Sequence, residues 1–167
     1  MSRLDSFICR LEAQRACLNW AIDAIRDLPG PVFELGLGNG RTFDHLRSRF
    51  GGSREIFVFD RQLAAHPACI PDRNHFFLGD FRETLPAVVA RFAGRIALVH
   101  ADIGSGDAAA TAALARWLGP ALQPALCEGA IVLSDQPLDV GRSPLSLPPG
   151  VPKHRYFIYG RRRAVRA

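Results

Sequence analysis

The chain of 167 residues is 48% hydrophobic and 22% charged, values in the normal range for one soluble globular domain over 1–167 that buries a core. No window of the sequence approaches the roughly 20 uninterrupted apolar residues of a membrane span, which argues against a membrane partner and favours the cytoplasm. The formal charge of +5 comes from arginine, since Lys153 is the only lysine.

An amphipathic helix opens the chain. Its apolar residues recur at steps of three and four from Leu4 to Ile25. Ser2 and Asp5 fit a capping box before it, and Pro29-Gly30 closes the segment. The sequence therefore predicts an amphipathic N-terminal helix in this region.

Strand-length apolar runs alternate with helical patterns through the middle of the chain. The runs lie at 31–36, 55–60, 74–80, 95–102 and 129–135, and the helical patterns lie at 43–50, 81–92 and 108–118. Pro67 and Pro71 interrupt the segment after the second strand, where any helix is short or absent. This alternation predicts an α/β fold: a three-layer α/β/α sandwich around a Rossmann-like, doubly wound, mostly parallel sheet.

The pattern breaks after the fifth strand. Residues 136–153 contain five prolines, which excludes a long regular helix and predicts either an ordered surface loop or a mobile flap. One further strand is predicted, at 154–160.

The stretch "FELGLGNGRTF", 33–43, joins the first strand to the next helix. Its glycines lack a β-carbon, so the backbone can turn tightly and approach a ligand at the carboxyl end of the strand. A P-loop needs a lysine after its last glycine, and Arg41 follows here. A dinucleotide fingerprint needs a glycine at position 41, and the Glu34 carboxylate would face a pyrophosphate unfavourably. Both phosphate-binding interpretations therefore fail.

The pattern acid-x-Gly-x-Gly-x-Gly at 34–40 resembles the first motif of the class I S-adenosyl-L-methionine-dependent methyltransferases. A carboxylate suits this cofactor, because the cofactor carries a sulfonium and an ammonium and has no phosphate. Asp60, Asp80 and Asp102 end the next three strands, where the family also has acids. The resemblance covers about 31–135.

The resemblance implies S-adenosyl-L-methionine as cofactor and gives roles to individual residues. Asp60 would accept hydrogen bonds from the ribose hydroxyls, Asp80 would lie near the adenine amine, and the Phe81 amide would meet a ring nitrogen. Asp60 and Asp80 could also be ordinary helix N-caps. The full set of expected cofactor-binding residues is Glu34, Gly36, Leu37, Gly38, Asn39, Gly40, Thr42, Asp60, Arg61, Gly79, Asp80, Phe81 and Asp102.

Methyl transfer requires alignment of a nucleophile and removal of its proton. The candidate catalytic residues at strand ends are His100, Asp102 and Asp135. For His100, a buried histidine with satisfied hydrogen bonds is the alternative.

The cation-dependent O-methyltransferases of the catechol and caffeoyl type carry Asp-Ala-Asp and Asp-Asn at the ends of the fourth and fifth strands. The matching stretches here are His100-Ala101-Asp102 and Asp135-Gln136. This mixed ligand set suits magnesium poorly, so we expect no metal. The similarity favours a small-molecule acceptor, with methylation of oxygen slightly preferred.

Two features leave alternatives to an enzyme of this kind open. Four arginines in the tail "GRRRAVRA", Arg161, Arg162, Arg163 and Arg166, would suit an RNA-associated accessory protein, although a solvated charge run is the commoner explanation of such a tail. Family members usually add a helix and a hairpin after the fifth strand, and here the C-terminal part is shortened. The pocket is then open or completed by a second subunit of a homo-oligomer, and a binding protein without turnover is the other alternative.

Overall fold

Seven strands form a single sheet within residues 1–161, the part of the chain that the computed structural model describes. The strand order is β3-β2-β1-β4-β5-β7-β6. Strands β1 to β5 run parallel, and β7 runs antiparallel to both of its neighbours. The strands are β1 Val32–Leu35, β2 Ile56–Asp60, β3 Phe76–Leu78, β4 Ile96–Ala101, β5 Leu126–Ser134, β6 Ser143–Pro144 and β7 Phe157–Gly160.

Helices cover both faces of the sheet. They are α1 Arg3–Ala24, α2 Arg41–Phe50, α3 Phe81–Arg91 and α4 Ala108–Leu122. One buried cluster joins α1 and α2 to one face of the sheet, and a second cluster joins α3 and α4 to the other face. The predicted α/β/α sandwich with a Rossmann-like sheet is confirmed.

The N-terminal helix begins and ends on specific polar contacts. The Ser2 hydroxyl accepts a hydrogen bond from the Asp5 backbone N–H, and the Asp5 carboxylate accepts one from the Ser2 N–H, so the capping box is confirmed. Beyond its C-terminus, the Arg54 guanidinium donates to the carbonyl oxygens of Ile25 and Leu28, each at 2.6 Å. Ile25 is the C-cap residue of the helix and Leu28 lies in the turn that follows it, so Arg54 holds this turn in place.

The C-terminal part differs from the sequence prediction in one respect. We expected one strand, but the proline-rich stretch also contributes β6, which pairs with β7. A strand of two residues has no readable hydrophobic alternation. Pro144 is tolerated because β6 lies at the edge of the sheet.

The proline-rich stretch packs against the protein as an ordered surface loop. Leu138 and Val140 are buried in the cluster under α3 and α4, and the Leu138 N–H donates to the Tyr159 hydroxyl at 2.9 Å. Between β5 and β6 the structure has no helix.

The bounds of two elements differ from those that the sequence predicted. Helix α4 continues through Pro120 to Leu122, and β5 begins at Leu126 rather than 129. The interrupted segment after β2 holds only a 3-10 turn, Pro67–Cys69.

No helix within residues 1–161 is both long and apolar enough to cross a membrane. The tail arginines at 162, 163 and 166 lie outside the described residues.

Candidate active site

A cleft of about 510 Å³ opens at the carboxyl ends of β1, β2 and β4. The chain order reverses at β1 and β4, where open parallel sheets bind ligands. Its volume lies within the usual range for small-molecule sites, about 300–1,000 Å³. The predicted site residues that line it are Gly36, Leu37, Gly38, Asn39, Thr42, Asp60, Arg61, Asp80, Phe81 and Asp102. Glu34, Gly40, Gly79, His100 and Asp135 do not line it.

The glycine loop depends on glycine for close packing. Gly36 has φ +95°, and a β-carbon there would lie 2.3 Å from the Asp102 carbonyl oxygen. Gly40 has φ +88°, and a β-carbon there would lie 2.4 Å from the Cys69 β-carbon. Larger residues at these positions would push the loop away from β4 and from the segment after β2.

Asp60 interacts with the glycine loop directly. Its carboxylate accepts hydrogen bonds from the backbone N–H groups of Gly38 at 2.9 Å and Gln62 at 3.1 Å. No helix follows it, so the N-cap alternative does not apply. Because a loop amide already binds a carboxylate, this part of the cleft favours positive or neutral ligand groups over a pyrophosphate.

Asp80 serves as a helix cap and also lines the cleft. It is the N-cap of α3, and its side chain accepts a hydrogen bond from the Arg82 N–H at 2.8 Å. One carboxylate oxygen is engaged in this way, and the half-buried side chain remains in contact with the cleft.

Glu34 lies beneath the glycine loop rather than in the cleft. Its side chain is completely buried on the α1 and α2 side of the sheet. One carboxylate oxygen accepts a hydrogen bond from the Thr42 hydroxyl on α2, and the other lies 2.7 Å from His100 Nδ1. The carboxylate thus connects the sheet to the first turn of the helix that follows the loop.

His100 is also completely buried, and both of its ring nitrogens have partners. Nδ1 binds Glu34, and Nε2 is hydrogen-bonded to the Tyr156 hydroxyl. Burial alone would lower the pKa of His100, but the Glu34 carboxylate, helped by Asp102 and Asp135, raises it above the ordinary value. The arrangement leaves His100 no contact with the cleft.

Tyr156 lies between His100 and the first helix. Burial, together with nearby carboxylates, raises its pKa well above the ordinary value, so the hydroxyl stays protonated. Gln14 lies 3.4 Å from this hydroxyl and donates to Asp102 at 2.9 Å. A hydrogen-bonded path therefore runs from buried Glu34 to Asp102 at the cleft.

The sequence indicated the first helix as a segment available for substrate recognition, but it did not identify the residues of α1 that line the site. Arg10 and Gln14 line the cleft, and the Arg10 guanidinium lies 3.5 Å from the Asp102 carboxylate. The available signal was a polar pair at i and i+4 on one face of α1.

Asp135 lies at a neighbouring cavity of about 450 Å³, the second cavity. Its carboxylate accepts hydrogen bonds from the backbone N–H groups of Ile103 at 2.9 Å and Gly104 at 3.0 Å. Burial is the main cause that raises the pKa of Asp135 above the usual aspartate value. Arg10 lines both the cleft and the second cavity, so the two spaces adjoin.

The geometry does not favour a metal at these strand ends. Within residues 1–161 no group of three or more His, Cys, Asp and Glu side chains could hold a metal ion. His100 would have to give up Glu34 or Tyr156 to become a ligand. Absence of a metal stays a prediction.

Comparison with solved structures supports the fold. A protein from Corynebacterium glutamicum is 9% identical, with a TM-score of 0.57, over 92% of this chain and 82% of its own. TrmN from Thermus thermophilus is 19% identical, with a TM-score of 0.50, over 84% of this chain and 48% of its own. At these identities the similarity shows the fold alone.

Two comparisons show the family. An S-adenosyl-L-methionine methyltransferase from Silicibacter pomeroyi DSS-3 is 46% identical, with a TM-score of 0.89, over 96% of this chain and 99% of its own. No curated protein matches the chain. The family profile described as S-adenosyl-L-methionine methyltransferase matches residues 1–162. The chain therefore belongs to the S-adenosyl-L-methionine methyltransferase family, and S-adenosyl-L-methionine is its cofactor.

Proposed function

We propose that the chain transfers a methyl group from S-adenosyl-L-methionine to a hydroxyl oxygen of a small-molecule acceptor bound in the second cavity. The observation that carries this proposal is the shared wall of the two cavities. Arg10 lines both, Asp102 lies on the cleft side, and Asp135 lies on the other. Two bound molecules in adjoining spaces could bring their reacting atoms together.

The cleft fits the cofactor in size and in charge. Asp60 would accept hydrogen bonds from the ribose hydroxyls, and Asp80 would accept one from the adenine amine, with the Phe81 amide beside it. Leu37, Asn39, Thr42 and Arg61 would form further walls, and Gly40 and Gly79 would shape the backbone behind them. The bound cofactor supplies a methyl group that its sulfonium makes electrophilic.

Asp102 would face the positive groups of the cofactor. Its carboxylate is held by Gln14 and approached by Arg10, so its position is fixed from α1. A preorganised carboxylate of this kind favours a nearby cation without having to reorient.

Asp135 would take the proton from the acceptor hydroxyl. Its raised pKa makes it a better proton acceptor than an ordinary aspartate, and it borders the cavity assigned to the acceptor. The hydroxyl proton would move to the Asp135 carboxylate while the acceptor oxygen would form its bond to the methyl carbon. The methyl–sulfur bond would break with its electron pair staying on sulfur, and S-adenosylhomocysteine would leave.

His100 and Glu34 would be positioning residues. Both are buried away from the two cavities. Glu34 would act on the glycine-loop side through its hydrogen bond with Thr42. His100 would act on the Asp102 side through Tyr156 and Gln14. The catalytic role expected for His100 from the sequence is therefore replaced in this proposal by a structural connection between the two sides of the site.

The test is methyl transfer from methyl-labelled S-adenosyl-L-methionine to a panel of phenols, hydroxy acids, amines and total RNA. Asp135→Asn is compared with Asp139→Asn, an equal change of charge at an exposed residue outside both cavities. We expect product spectra to show an O-methyl group, with the Asp135→Asn rate lower by about 10²–10⁴. Methylation confined to nitrogen or RNA, or an unaffected Asp135→Asn variant, would reject the proposal.

A further inference from the structure

The second cavity is lined by more positively charged than negatively charged side chains. Its lining includes two arginines, Arg10 and Arg155, and Asp135 is the one acidic residue among its lining residues within 1–161. The Asp135 oxygens already accept hydrogen bonds from the Ile103 and Gly104 amides. Their capacity to neutralise a guanidinium across the cavity is therefore reduced.

Neither arginine is fully neutralised by the protein. Arg10 has one carboxylate near it, Asp102, at 3.5 Å, which is longer than a good charge-assisted hydrogen bond. The half-buried Arg155 makes no side-chain hydrogen bond or ion pair with the part of the chain that the structure describes. A planar guanidinium with free donors is suited to bidentate binding of a carboxylate or a phosphate.

The backbone before Arg155 is held in a conformation that non-glycine residues seldom adopt. His154 has φ +64°, and the Arg155 N–H donates to the Pro152 carbonyl oxygen at 3.2 Å, closing a turn. Left-handed backbone at a non-glycine residue costs free energy and recurs at ligand-binding sites. Here the turn presents His154 and Arg155 to the same cavity.

The remaining walls are less polar. Pro137 and the half-buried Phe157 line the cavity beside the charged groups. An aromatic or aliphatic body could pack against these two side chains. The volume of about 450 Å³ is within the range of small-ligand sites, about 300–1,000 Å³.

We infer that the methyl acceptor carries a negatively charged oxyacid group, a carboxylate or a phosphate, bound by Arg155 with help from Arg10. Its apolar body contacts Phe157 and Pro137, and its hydroxyl faces Asp135. This inference rests on the proposed function, because it names the class of acceptor for the same reaction.

The test measures binding by calorimetry to the full chain saturated with S-adenosylhomocysteine. The probes are para-hydroxybenzoate, para-hydroxyphenyl phosphate and the uncharged para-hydroxybenzamide. Arg155→Gln is compared with Arg73→Gln, the same change at an exposed arginine outside both cavities.

We expect at least one anion to bind the wild type about tenfold or more tightly than the amide, because a charge-assisted hydrogen bond is lost with the amide. Arg155→Gln should abolish this preference, and Arg73→Gln should keep it. The tighter anion decides between carboxylate and phosphate. S-adenosylhomocysteine should bind all three proteins equally.

Three results would overturn the inference: no binding of either anion at millimolar concentration, equal binding of anion and amide, or an Arg155→Gln variant that retains the preference. Weaker S-adenosylhomocysteine binding by Arg155→Gln would assign Arg155 to the cofactor and also overturn it. Methylation of uncharged hydroxyl compounds alone would leave the proposed function standing. Anion preference combined with N-methylation would reject the proposed function and leave the anion site.

Discussion

His100 Nδ1 lies 2.7 Å from Glu34 Oε2, and both side chains are completely buried. The two residues are direct neighbours across the parallel ladder of β1 and β4. A buried charge is costly unless a partner compensates it, so each of these side chains depends on the other. Their pairing ties the strand before the glycine loop to the strand before Asp102.

This pair gives the stability of the protein a specific pH dependence. The pKa of His100 is raised in the folded chain, so the folded state binds a proton that the unfolded chain releases near its ordinary value of about 6.5. The contribution is fully present below about pH 6.5 and is lost as the pH rises through the folded-state pKa. We expect the free energy of unfolding in urea to fall over that range.

Two variants test whether His100 causes this slope of the free energy of unfolding against pH. In His100→Gln the slope should diminish. The pKa of His45 is lowered, first by burial and then by Arg49, so its contribution has the opposite sign and falls below about pH 6.5, and His45→Gln should leave the fall above that pH unchanged. An unchanged slope in His100→Gln would contradict the assignment.

The Glu34 and His100 pair shows which features of the site the sequence predicts and which it does not. Both residues are polar interruptions of apolar strands, which is visible in the sequence. Their contact joins positions 66 residues apart and requires β1 to lie beside β4. The sequence predicts that each of these residues lies in a strand. It does not predict that the two side chains bind each other, because that depends on the strand order and on both side chains being buried.

The acids at the strand ends were easier to predict than the rest of the site. Asp60, Asp80 and Asp102 converge because parallel strands present their carboxyl ends at one edge of the sheet. Arg10 and Tyr156 could not be placed in the same way. One lies on a helix whose docking angle is set by core packing, and the other precedes a strand that enters after a proline-rich loop.

Asp60 tests the cofactor site. Asp60→Ala removes a carboxylate that lines the cleft, and we expect S-adenosylhomocysteine to bind about 10- to 100-fold more weakly in calorimetry, the loss expected for hydrogen bonds to a charged group. Asp72→Ala is the matched control, because Asp72 accepts a similar hydrogen bond from the Asn74 N–H away from the cleft. Equal affinities for wild type and Asp60→Ala would remove Asp60 from the cofactor site.

Gly36 tests the packing of the glycine loop. In Gly36→Ala, the left-handed backbone costs about 1–2 kcal/mol, and the β-carbon, 2.3 Å from the Asp102 carbonyl oxygen, adds about 1–3 kcal/mol of overpacking. Gly51→Ala has the same backbone problem with φ +55° but no atom within 4 Å of the added carbon, so it should show only the first cost. Urea unfolding of both variants measures the difference, and equal costs would mean that the loop adjusts freely.

The pH dependence of methyl transfer tests Asp135 as the general base of the proposed reaction. A general base must be deprotonated to work, and burial raises the pKa of this carboxyl, so the rate of methyl transfer at saturating cofactor should rise with pH through that raised pKa. The titration of the acceptor hydroxyl could produce a similar rise, but that rise would survive in Asp135→Asn. The variant keeps one oxygen that can accept from the Ile103 or Gly104 amide, leaves the other amide without an acceptor, and removes the base. An acidic limb present in the wild type and absent from the slower variant would identify Asp135 as the base, whereas identical profiles would mean that the proton leaves by another route.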